Sequence, residues 1–187
     1  MKHDYDWIVV GSGFGGSVSA LRLAEKGYSA AVLECGKRFG DDDFPSSTGD
    51  SRRYFWAPRM GMKGIFRLSI FKDIAVVSGC GVGGGSLGYA NTLYVPPSPF
   101  FEDPQWADLE SWEARLAPHY ETAQRMLGVV VHDNDDPADQ LLRELGEELG
   151  VADTYRKTPI GVYLDNPGKT VPDPYFEGEG PERTGCM

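Results

Sequence analysis

Two glycine-rich stretches and one carboxylate carry most of the chemistry that can be read from this chain. The first stretch, "GSGFGG", sets glycines at 11, 13 and 16, and Glu34 follows 23 positions after Gly11. In that spacing Gly11 permits a tight turn, Gly13 lets the backbone approach a pyrophosphate, and Gly16 lets the next helix pack closely on the preceding strand. The helix amides then face the anion. A carboxylate at the end of the following strand accepts both hydroxyls of an adenosine ribose and repels a 2′-phosphate. The chemistry expected is binding of an adenine dinucleotide; the competing reading is a strand-helix-strand unit whose glycines serve packing alone.

The second stretch, "GCGVGGGS" at residues 79–86, offers successive backbone amides with no side chains in the way. That suits a second anion cradle, or a shelf under the tricyclic ring of a flavin. A plain NAD fold has no need of it, so FAD is expected over NAD. The flanks "IAVV" and "LGYANTLYV" are apolar, whereas a solvated linker would carry Ser, Glu or Lys. A base for proton transfer would usually be a histidine. His3 precedes the first strand, His119 sits beside Pro118, and His132 lies in the acidic run "HDNDD". Each reads as a surface or packing residue. Cys35, Cys80 and Cys186 are odd in number and widely spaced, which suits neither a disulfide framework nor a zinc site, and they are expected to be free thiols.

The elements that must position these groups are clearest in residues 5–34. "DYDWIVV" is a short β-branched and aromatic run ending at Gly11, the pattern of a buried strand. "SVSALRLAEKG" predicts a helix from Gly16 with Gly27 as its stop, and "SAAVLE" a second strand closing on Glu34. The crossover makes the two strands parallel. The fold class expected is α/β: a Rossmann-like FAD-binding fold, a parallel sheet with crossover helices, incomplete and followed by helical and loop segments. Residues 1–100 read as the start of that domain, 101–154 as a helical segment and 155–187 as a loop-rich tail. "SRRYFWAPRMGMKGIFRLSIF" reads as a covering loop packed by aromatics, or as a border of the substrate space. "DLESWEARLAPHYETAQRMLGVV" has helical periodicity with a break or kink at Pro118, and "DPADQLLRELGEELG" predicts a helix capped by Asp136 with Pro137 in its first position.

Composition excludes several partners. With 18 basic and 28 acidic residues the net charge is −10, which opposes binding to nucleic acid or anionic membranes. No apolar run reaches the roughly 18 residues of a membrane span, and the run at Trp7 is too early and too short for a signal peptide. A cytoplasmic location is expected.

Taken together, "DYDWIVVGSGFGGSVSALRLAEKGY", "VLECGKRF", "GCGVGGGSLGYANTLYVPPSPFF", "LAPHYETAQRMLGVV" and "KTVPDPYFEGEGPERTGC" resemble the glucose-methanol-choline (GMC) oxidoreductases, and among them most closely the bacterial members that oxidise sterols. The resemblance spans nearly the whole chain. It implies non-covalent FAD, oxidation of a sterol 3-hydroxyl to the ketone, and oxygen as the acceptor that yields hydrogen peroxide. By position it implies that Gly11, Gly13, Phe14, Gly15 and Gly16 surround the pyrophosphate, that Glu34 holds the ribose, and that Gly83, Gly84, Gly85 and Ser86 line the flavin side. An asparagine near the flavin is also implied. Family spacing points at Tyr89, while the nearest asparagine is Asn91, which is favoured. The family's catalytic histidine and its asparagine partner lie near the end of a much longer chain, so no catalytic residue is expected here, and the chain reads as the N-terminal part of a larger enzyme. The alternatives are an NAD-dependent dehydrogenase and a non-catalytic, truncated nucleotide-binding module.

Overall fold

The computed structural model describes residues 3–47, 49–132 and 134–186. They fall into two compact units that divide between Ala90 and Asn91.

The first unit opens with strand β1 (Trp7–Val10), helix α1 (Phe14–Glu25) and strand β2 (Ala30–Leu33). β1 and β2 pair in parallel, from Trp7 opposite Ala30 to Val10 opposite Leu33, which is the expected crossover unit. α1 starts at Phe14, two residues before the sequence suggested, because the extended Gly13 serves as its N-cap. It ends as predicted at Gly27. With φ +84 this residue turns left-handed, Gly27 N–H bonds to Ala24 C=O, and Tyr28 N–H reaches back to Leu23 C=O.

Residues 51–79 are more regular than a covering loop. They form α2 (Ser51–Tyr54), β3 (Trp56–Ala57), β4 (Met62–Lys63), β5 (Phe66–Ile70) and β6 (Ala75–Gly79). β3 pairs with β4 and β5 with β6, both antiparallel. β6 leads directly into the second glycine stretch, which closes in a 3-10 turn over Gly84–Leu87.

The second unit holds α3 (Ser98–Phe101), α4 (Trp112–Leu127), β7 (Val130–Val131), α5 (Pro137–Glu148), β8 (Pro159–Ile160), β9 (Thr170–Val171) and β10 (Arg183–Thr184). β7 pairs with β8 and β9 with β10. α4 runs unbroken through Pro118, so the break suggested there does not occur. α5 begins as expected: Asp136 accepts from the N–H groups of Ala138 and Asp139, and Asp139 accepts from Asp136 N–H in return.

The expectation that β1 is buried is corrected by the structure. Ile8 is 64% and Val10 84% exposed, because the β1–β2 sheet has two strands and each is an edge. Among the described residues, the buried apolar side chains are Ile65, Cys80 and Phe101. The chain exposes 14163 Å². Two separate compact domains of half its mass would expose roughly 11,000 Å². Within the first unit the Rossmann-type β1–β2 sheet leaves Trp7, Ile8, Val10, Val32 and Leu33 exposed. No helix of the described residues is long and apolar enough to cross a membrane.

Candidate functional site

The site is built where β1, α1 and β2 meet the second glycine stretch. Gly11 N–H bonds to Leu33 C=O at 2.7 Å, extending the ladder one step, and its φ of +89 turns the chain toward α1. A Cβ on Gly16 would fall on the Gly11 carbonyl oxygen, so only glycine lets the helix sit this close. The first turn of α1 carries no side-chain cap and no acidic residue. Gly15 faces open space, with no heavy atom within 4 Å of where a Cβ would stand. Uncapped amides at the positive end of a 12-residue helix make a seat for an anion.

Glu34 lies just past β2, and both its oxygens are engaged. Oε2 accepts from Ser12 N–H at 3.0 Å and Ser12 O–H at 2.7 Å, while Oε1 accepts from Gly36 N–H at 3.0 Å and the Cys35 thiol at 3.3 Å. Partial burial pushes the carboxyl up. The Gly36 amide, the Ser12 hydroxyl and amide, and the Cys35 thiol together outweigh it and bring the pKa down from 4.5 to about 2. Glu34 is a fixed anion at neutral pH. The thiol is the weakest of its four donors.

Ser12 is a site residue that the glycine spacing does not mark. It is buried, and its hydroxyl also accepts from Gly83 N–H at 3.2 Å, which ties the second glycine stretch to the first. The tie is reinforced by backbone contact. Gly84, at φ +57, lies so close that a Cβ there would come within 2.8 Å of Gly13 Cα. Gly85 faces the Phe14 ring, and Ser86 Oγ donates to Gly83 C=O at 3.0 Å. The structure thus brings Gly11, Gly13, Phe14, Gly16 and Glu34 together with Gly83, Gly84, Gly85 and Ser86. Tyr89 stacks edge-on against Phe14 at 5.3 Å. Asn91 lies in the second unit, in a left-handed conformation with its carbonyl accepting from Gly161 N–H. His3, His119 and His132 are all exposed.

The lowered carboxyl of Glu34 fixes a pH dependence. A carboxyl depressed in the folded state contributes stability that is complete above its unfolded value, near 4.5, and is lost as pH falls toward about 2. Allowing for its partial exposure, the contribution is about 1 kcal/mol. Thermal melts from pH 7 down to pH 3 are expected to show the native protein losing this margin over Glu34→Gln below pH 4.5; a margin that stays constant with pH would contradict the geometry.

Comparison with known proteins agrees with the Rossmann-like fold class of the start of the first unit. Residues 9–45 match the family model of the NAD(P)-binding Rossmann-like domain. The chain is 54% identical over 192 aligned residues to the cholesterol oxidase of Mycobacterium tuberculosis (strain ATCC 25618 / H37Rv), covering 100% of this chain and 33% of that protein. It is 45% identical over 189 aligned residues to the cholesterol oxidase of Acinetobacter baumannii, covering 99% of this chain and 34% of the other. The chain therefore spans about a third of the length of these relatives.

Proposed function

From this homology to cholesterol oxidases, we propose that the chain is the FAD-binding portion of an alcohol oxidase that converts the 3-hydroxyl of cholesterol or a related sterol to the ketone, with oxygen as acceptor and hydrogen peroxide as product. The observation that carries the reading is the joining of the two glycine stretches through Ser12 and the Gly13–Gly84 contact. A nucleotide fold that binds only NAD has no use for the second stretch.

The residues fit the group on their donor chemistry. The amides of Phe14, Gly15 and Gly16 at the uncapped start of α1 would hold the pyrophosphate, with Gly11 and Gly13 giving the backbone room. Glu34, ionised and fixed by Ser12 and Gly36, would accept from the ribose. Gly83, Gly84, Gly85 and Ser86 would present backbone to the flavin side without β-carbons, save at Ser86. The chemistry that FAD supplies in such a site is two-electron oxidation of the alcohol. No base is assigned among the described residues, where the three histidines are exposed.

The same turn and carboxylate also suit NAD, as the matched family model implies. One experiment separates the readings. Full-length protein given cholesterol in air is expected to release one peroxide per ketone formed without added nicotinamide. Turnover that depends on added NAD, with no peroxide, would establish the dehydrogenase reading instead.

A further inference from the structure

We propose that Cys35 and Cys80 are a redox-active thiol pair that closes reversibly to a disulfide and latches the second glycine stretch onto the end of β2. The pair is separated by 45 positions in sequence, yet the two Sγ atoms lie 3.4 Å apart. The backbones that carry them are already pressed together. A Cβ on Gly36 would fall on Gly81, and Val82 N–H bonds to Lys37 C=O at 3.0 Å. Cys80 is fixed from the other side by its own N–H to Ile65 C=O at 2.8 Å. A disulfide, about 2.05 Å long, needs the sulfurs to close by little more than 1 Å, within reach of side-chain rotation.

The two thiols differ in the way a two-step closure requires. Cys35 is exposed, whereas Cys80 is 1% exposed. Burial, and then the hydrogen bond with Cys35, push the Cys80 thiol up to about 12, so it does not meet outside oxidants as a thiolate. Cys35 is therefore the point of attack. Its sulfur attacks one oxygen of a peroxide and the O–O bond breaks, giving a sulfenic acid, while the other oxygen leaves with the thiol proton as water or an alcohol. Cys80 sulfur then displaces the hydroxyl from Cys35, and a second water leaves with the Cys80 proton. Two thiols are oxidised by two electrons and one peroxide is reduced by two. The closure draws the Cys35 sulfur off Glu34 Oε1, where Gly36 N–H remains as donor.

The same three groups could be imagined around a metal, since Glu34, Cys35 and Cys80 offer ligand atoms within 4.8 Å of one another. A structural site of this kind usually takes four ligands, one more than these three groups offer, whereas disulfide closure needs only the two sulfurs. The latch holds whichever nucleotide the cradle takes.

The test uses full-length protein carrying Cys186→Ser, treated in the folded state with equimolar hydrogen peroxide and digested without reductant. Mass spectrometry is expected to find a Cys35–Cys80 linked peptide, about 2 Da below the sum of its parts and split by dithiothreitol. The linked protein is expected to melt several degrees higher than its reduced form, with no such gain in Cys80→Ala. Conversion of Cys35 to the sulfinic acid, about 32 Da heavier, without the link would overturn the proposal. So would a link that forms only in denaturant, or one that leaves the melting temperature unchanged.

Discussion

Gly16→Ala is expected to destabilise the protein by about 2–3 kcal/mol, the cost of forcing a side chain into a filled position, although alanine is the better helix former. In an open helix position the same exchange gains up to about 1 kcal/mol. The sign reverses here because the new Cβ would fall on the Gly11 carbonyl oxygen and lie 3.4 Å from Val9 Cγ1. Neither neighbour can move freely: Gly11 is hydrogen-bonded to Leu33, and Val9 is held in the β1–β2 ladder. Gly15→Ala is the internal control. It lies in the same helix with nothing within 4 Å, so it should be neutral or slightly stabilising. Denaturant melts of both variants in the full-length protein check the pair. Equal effects of the two substitutions would show that the close approach of α1 to β1 is not what Gly16 provides.

The parts of the molecule that were legible in the sequence are those fixed by local geometry. The strand, turn, helix and strand of residues 5–34 follow from the β-branched run at Trp7, the glycines at 11, 13, 16 and 27, and the apolar run before Glu34. The α5 cap followed from Asp136 and Pro137 in the same way. Long-range contacts left no such mark. Nothing in the spacing of Cys35 and Cys80 shows that their sulfurs meet, because that contact depends on how the segment after β6 folds back on the end of β2. Local spacing does not mark Ser12, because its partners, Glu34 and Gly83, lie 22 and 71 positions away. β5 falls in the stretch that reads as a covering loop or a border of the substrate space because aromatics there mix with Arg and Lys, although Phe66, Leu68 and Ile70 alternate as a strand should. The apolar run of β1 suggests burial, but burial requires neighbouring strands that the two-stranded sheet does not provide.

Glu34→Arg is expected to weaken binding of the adenine dinucleotide at least tenfold while leaving the backbone fold of the first unit in place. The substitution removes both acceptor oxygens and reverses the charge at the end of β2. A hydrogen bond to a charged group contributes about 1.5–3 kcal/mol, so losing one ribose contact alone accounts for a tenfold change. The substitution also leaves the Ser12 and Gly36 donors without their acceptor. Glu34→Gln, which keeps the shape and one acceptor oxygen, should fall between the native protein and Glu34→Arg. Unchanged far-ultraviolet circular dichroism would separate lost binding from lost folding. The decisive measurement is calorimetric titration of FAD into the full-length protein freed of bound nucleotide, alongside the two variants. The expected result is one FAD per chain, with affinity falling in the order Glu34, Glu34→Gln, Glu34→Arg. Equal affinity in all three, or no binding of FAD by the native protein, would contradict the assignment of the cradle.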